Sequence, residues 1–103
     1  METLETAPVM LKTSQDINLI DGVFTATEAA DIINSVLKVK INFHKLQRLS
    51  RTEGDFTDSC EYDNGRIDEL ISEQEIAKEF FGQARLEGKK LKMKSTIEIF
   101  IED

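Results

Sequence analysis

The stretch TATEAADIINSVLKVKINFHKLQRLSR, residues 25–51, decides the fold. Thr25 and Glu28 form the S/T-x-x-E box that opens helices, in which hydroxyl and carboxylate each satisfy an orphan backbone N–H; Thr27 is a competing cap. Ala29, Ile32, Ile33, Val36, Val39, Phe43 and Leu46 then recur at spacings of three and four, the mark of one apolar stripe on an amphipathic helix. No glycine or proline interrupts the run before Gly54, so a helix over 26 to about 51 is predicted, ~39 Å long. One local conflict remains: Val39, Ile41 and Phe43 alternate with Lys40, Asn42 and His44, a strand period, and Ile41 and Leu49 lie off the stripe. A single helix, with a bend near 40–42 left open, reconciles these signals.

Upstream, residues 16–24 read as a strand interrupted by the turn or bulge signal Asp21-Gly22. Residues 1–14 read as a flexible arm, with a short strand over Val9–Leu11 the alternative. Downstream, 53–65 carries Gly54, Asp55, Asp58, Asp63, Asn64 and Gly65 without apolar periodicity and is predicted as a loop. A second helical region follows over 66–87. Its first apolar cluster is Ile67, Leu70 and Ile71; its second is Ile76, Ala77, Phe80, Phe81 and Ala84. Ser72 with Glu75 repeats the capping box between them, which leaves one helix or two abutting helices open. Gly88 supplies the stop. Residues 91–102 alternate cleanly, Leu91, Met93, Ser95, Ile97, Ile99 and Ile101 against Lys92, Lys94, Thr96, Glu98, Phe100 and Glu102, and read as a strand with one buried face.

The fold expected is α+β in the order β-α-α-β. It is a small antiparallel sheet packed on a long helical hairpin, in a single domain over 15–103. Two strands do not make a stable sheet alone, and Phe100 sits on the nominally polar face of the last one. Dimerisation, through strands or helices across a two-fold axis, is expected to complete it.

Bulk properties bound the function. The chain has 103 residues, a net charge of −7, 40% hydrophobic and 32% charged residues, the mix of a globular domain rather than a disordered or membrane chain. The charge is segregated: residues 25–52 sum to +3 and residues 53–69 to −6. A lone Cys60 forms no internal disulfide, and with no signal-like or membrane-spanning stretch it points to the cytoplasm.

Motifs for chemistry are sparse. His44 is the only histidine, and His44 with Cys60 is the single His–Cys pair, with no local signature to support it. His44 reads as a solvated helical side chain and Cys60 as an ordinary loop or partly buried thiol. One His and one Cys do not make a zinc site. Glu53, Asp55, Asp58, Glu61 and Asp63 suggest a cation, but fitting the EF-hand template on Gly65 or Gly54 puts Cys60 or Leu49 at the first ligand position, and both fits fail. Glu75 and Glu79 share a helix face whereas Glu73 and Glu75 do not; an exposed acidic face accounts for them. No glycine-rich phosphate loop occurs. No cofactor is expected.

Lys40, His44, Arg48 and Arg51, spaced four, four and three apart, form a basic stripe and the best candidate ligand or partner surface. Favourable placement near the helix C-terminus and pairing with the acidic loop explain it locally. Lys89, Lys90, Lys92 and Lys94 would extend a basic patch, although lysines also protect strand edges. The sequence therefore points to a non-enzymatic interaction or adaptor module that homo-oligomerises and binds another protein. Nucleic-acid binding through the basic stripe is the first alternative, and a small enzyme using carboxylates or His44 the second.

Overall fold

A computed structural model describes residues 12–103; the Val9–Leu11 triplet and most of the expected arm lie outside the described residues. The element order is β1 (Ser14–Thr25), α1 (Ala26–Gly54), α2 (Glu61–Leu86) and β2 (Lys90–Phe100). This is the β-α-α-β order expected, with the two strands in one antiparallel sheet. The described residues divide into two compact units: a helical unit, Val23–Lys92, and a ribbon unit comprising those up to Gly22 together with Met93–Asp103.

Helix α1 starts where the sequence says. Thr25 Oγ1 accepts from the Glu28 N–H at 3.1 Å, and the Glu28 carboxylate accepts from the Thr25 N–H at 2.9 Å. Such a cap is worth about 1 kcal/mol. The helix is continuous through Lys40–Asn42, so the strand-like alternation there has no effect on the backbone, and it runs on to Gly54.

The loop is the first correction. The expected loop over 53–65 shrinks to 55–60, because α2 begins at Glu61 and carries Asn64 and Gly65 inside it. A glycine in a helix interior costs about 1 kcal/mol. Here Asp63 and Asn64 bond to α1, and those interhelical contacts override the local turn signal. Cys60 caps the start in a left-handed conformation (φ 53°, ψ 41°). Its N–H is held by Asp58 Oδ1 at 2.8 Å, and the Asn64 amide donates back to the Ser59 carbonyl at 3.0 Å.

Helix α2 is one helix, and the Ser72/Glu75 box lies inside it without capping anything. It ends as predicted at Gly88, φ 64°, where a side chain would strain the backbone. The Lys89 N–H reaches the Ala84 carbonyl and the Gly88 N–H the Arg85 carbonyl, the paired bonds of a Schellman turn.

The second correction concerns which face of α1 is buried. The helices run antiparallel, with Thr27 meeting Arg85 at one end and His44 meeting Asp63 at the other. On α2 the line facing α1 is Asp63, Ile67, Leu70, Gln74, Ala77, Phe81 and Ala84, alternating steps of four and three throughout. On α1 the matching line is Ala26, Ala30, Ile33, Leu37, Ile41, His44 and Arg48. Such spacing is the seam of a two-helix coiled coil. Ile41, read from sequence as off the stripe, is core: with Ile67 and Leu70 it forms the buried apolar cluster, and Leu37 packs on it. Val36, Val39, Phe43 and Leu46, read as buried, are exposed, as are Ile71, Ile76 and Phe80 on α2.

In the ribbon, the Ile101 N–H donates to the Thr13 carbonyl at 3.0 Å, which sets the register. At that end of the ribbon it places Ile97 opposite Ile17 on one face; nearer the helices the partly covered residues are Ile20, Gly22 and Phe24 on β1 and Leu91, Met93 and Ser95 on β2. The other face puts Glu98 opposite Asp16. β1 is a single strand from Ser14 to Thr25, so Asp21-Gly22 does not divide it into two pieces.

Candidate functional site

Three of the four basic-stripe residues are gathered by α2. His44 Nδ1 lies 2.9 Å from Asp63 Oδ1, and because a carboxylate only accepts, Nδ1 carries the proton. The Arg51 guanidinium lies 3.4 Å from Asp63 Oδ2, an ion pair without hydrogen-bond alignment. Arg48 donates to the Asn64 side chain at 2.8 Å. Lys40 stands apart, its ammonium 4.9 Å from the Phe43 ring centre.

This corrects the solvated reading of His44. Its relative exposure is 2%, equal to that of Asp63, and it occupies a seam position where a coiled coil ordinarily carries an apolar side chain. Phe43 and Tyr62 approach its ring edge-on, with centroids 5.2 and 6.0 Å away. Its Nε2 has no hydrogen-bond partner among the described residues. Asp63 also sits in the first turn of α2 and Arg51 in the last turns of α1, each at the helix end whose dipole favours its charge. The acidic segment and the basic stripe therefore meet as one interhelical lock at the loop end.

His44 and Cys60 are not brought together as a catalytic pair. The Cys60 thiol is buried, with Thr52 Oγ1 at 3.8 Å and the Arg48 carbonyl at 3.7 Å. Among the described residues no three His, Cys, Asp or Glu side chains cluster as a metal site would require. Glu75 lines a shallow open groove of about 490 Å³ on the hairpin, with Asp31, Lys78 and Arg85 around it. Lys89 and Lys90 line a smaller hollow of about 250 Å³ beside Thr25 and Arg85.

The feature that sequence reasoning misplaced is a second apolar line on α1. Ile32, Val36, Val39, Phe43 and Leu46 repeat at four, three, four, three, as regularly as the seam itself. At about 100° per residue this line is displaced from the seam by roughly a third of a turn. On α2, Tyr62, Ile76 and Phe80 share a face displaced from its seam by about a quarter of a turn, with Arg66, Glu69 and Glu73 between Tyr62 and Ile76 on the same face. Because the helices are antiparallel, both displacements fall on the same side of the hairpin. Val39 is 72% exposed, Leu46 66%, Tyr62 67% and Phe80 60%. The opposite side carries Asp31, Asn34, Lys38 and Lys45 from α1 with Asp68 and Glu75 from α2. One side of the hairpin is thus apolar along α1 and at Tyr62, Ile76 and Phe80 of α2, with the charged Arg66, Glu69 and Glu73 between them, and the other side is polar. The 4-3 spacing of both lines was the signal available in the sequence; the notion of a single stripe hid it.

The helical unit is a two-helix coiled-coil hairpin with an open apolar face, and the other unit is a two-stranded ribbon. Comparison with protein-family models, with curated proteins and with solved structures finds no match to the chain. Among the described residues no helix is long and apolar enough to cross a membrane.

Proposed function

We propose that the protein is a cytoplasmic, non-enzymatic interaction module that self-associates through the apolar face of its helical hairpin. The carrying observation is the continuous exposed line Val36, Val39, Phe43 and Leu46 on α1, flanked on α2 by Tyr62 near the loop and by Ile76 and Phe80 beyond the charged Arg66, Glu69 and Glu73. The seven apolar side chains expose on the order of 700 Å², close to the ~800 Å² that each partner of a standard protein interface buries. Monomeric proteins rarely leave so large an apolar patch open.

The occupant is a second copy of the chain. Two such faces apposed across a two-fold axis make a four-helix bundle, in which each helix needs one line for its own hairpin and a second for the partner. α1 has two complete lines, and α2 adds Tyr62, Ile76 and Phe80 beside the second. The intrachain core supports the same reading: of the eight buried hydrophobic residues among those described, three are alanines and one is Cys60. The large apolar side chains are left for an intermolecular core. A buried, unpaired thiol suits a reducing compartment.

Sedimentation equilibrium tests this. The wild-type chain is expected to associate in the micromolar range, and Val39→Lys with Leu46→Lys is expected to give a single 11.7 kDa species with unchanged helix content. A wild-type chain that stays at that mass at several hundred micromolar overturns the proposal, and so does a double variant that associates as well as wild type.

A further inference from the structure

The ribbon carries a second self-complementary surface on its free edge, independent of the hairpin face. In β2 the Ile101 N–H points inward to β1, so the alternate residues Lys90, Lys92, Lys94, Thr96, Glu98 and Phe100 turn their backbone N–H and C=O groups to the open edge. Their side chains share one face of the strand. Along that face, charge is divided by position: Lys90, Lys92 and Lys94 before Thr96, Glu98 and Glu102 after it.

The geometry points to antiparallel pairing of β2 with β2 of a second copy, with the two-fold axis at Thr96. In that register Lys94 faces Glu98 of the second copy, Lys90 faces its Glu102, and Lys92 faces its Phe100. The other face then aligns Met93 with Ile99 and Leu91 with Ile101. Each contact occurs twice by symmetry. Moving the axis by one residue keeps fewer opposite-charge pairs, so charge selects the register. Within the chain these charges gain nothing: Glu98 faces Asp16 across the ribbon, a like pair, and among the described residues no ion pair involves Lys90, Lys92, Lys94 or Glu98. The β1 edge lacks this complementarity. It carries Asp16 and Asp21 and no cation to set against them. The outcome is a continuous four-stranded sheet from two ribbons that are each too small to be stable alone.

This inference rests on the chain self-associating, as proposed above, but not on the hairpin face. Two experiments test it in the full chain with Cys60→Ala. With Thr96→Cys, mild oxidation is expected to give a covalent dimer, since a hydrogen-bonded antiparallel pair sets Cα atoms ~5.5 Å apart, within disulfide range. Asn18→Cys, on the opposite strand, is expected to remain uncrosslinked. Equal rates at the two positions overturn the inference. In the second experiment, Lys94→Glu is expected to weaken association about ten-fold, because two cross-strand pairs turn repulsive at once. Glu98→Lys is expected to do the same while giving Asp16 an opposite charge within the ribbon. The double swap is expected to restore wild-type affinity. Association indifferent to all three variants overturns the edge pairing and leaves the hairpin reading standing. Association that follows the charge swap but ignores Val39→Lys with Leu46→Lys overturns the hairpin reading and supports this one.

Discussion

The two halves of the hairpin seam solve the same packing problem with different chemistry. Toward the middle, Leu37, Ile41, Ile67 and Leu70 interlock as an apolar cluster. One turn further toward the loop, the same seam positions hold His44, Arg48 and Asp63. The apolar half stabilises by area removed from water, which is indifferent to small slips along the helices. The polar half contributes little net free energy, because desolvating His44 and Asp63 offsets their attraction. It penalises misalignment instead: slide either helix by one turn and two buried polar groups lose each other. Polar residues at seam positions are best attested as such register devices.

The largest expected effect breaks the polar half. Asp63→Ala leaves His44 Nδ1 buried without an acceptor and frees Arg51, which is expected to cost about 3–4 kcal/mol in urea unfolding. Leu70→Ala, which only opens a cavity in the apolar half, is expected to cost about 2–3 kcal/mol, since the partly open cluster can relax around it. Replacing both polar partners, with His44→Leu and Asp63→Leu together, is expected to recover most of the loss. A double variant as unstable as Asp63→Ala would mean that the pair itself stabilises the fold and that the contrast between the halves is false.

The same contrast explains what the sequence reveals. The cap at Thr25 and Glu28, the stop at Gly88 and the alternation of β2 are local rules, satisfied within a few residues, and all three are legible. The buried face of α1 is not local. The helix carries two apolar lines of equal regularity, and only α2, packed against Ile41 and His44, chooses between them. The stripe of Lys40, His44, Arg48 and Arg51 was legible as a unit, but its partners at Asp63 and Asn64 were concealed by a glycine and a turn signal that normally mark a loop. Once Asp63 is admitted to a helix, the 4-3 spacing from Asp63 to Ala84 is unbroken.

That concealed start of α2 can be sharpened directly. Gly65 is helical, and a Cβ added there meets nothing within 4 Å. Gly65→Ala is therefore expected to stabilise the chain by about 0.5–1 kcal/mol, raising the thermal midpoint by a few degrees. Destabilisation instead would show that the first turn of α2 leaves helical geometry, and that Asp63 reaches His44 from a loop.

The smallest expected effect lies in the loop that joins the halves. Asp55 Oδ1 accepts from the Thr57 hydroxyl at 2.6 Å and from the Thr57 N–H at 3.0 Å. The hydroxyl bond first, and the backbone bond second, hold the Asp55 carboxyl below its ordinary value of 3.8. A lowered carboxylate contributes fully above the unfolded value and loses its contribution as pH falls through the folded one. The loop is thus expected to keep its closed turn above about pH 4 and to loosen only in stronger acid, with no change near neutrality. Carbon-detected titration of Asp55 reads this out: a midpoint below 3.8 in the wild type, moved upward by Thr57→Ala. A wild-type midpoint at or above 3.8 would show that the turn does not close, leaving the His44–Asp63 lock to align the helices without help from the loop.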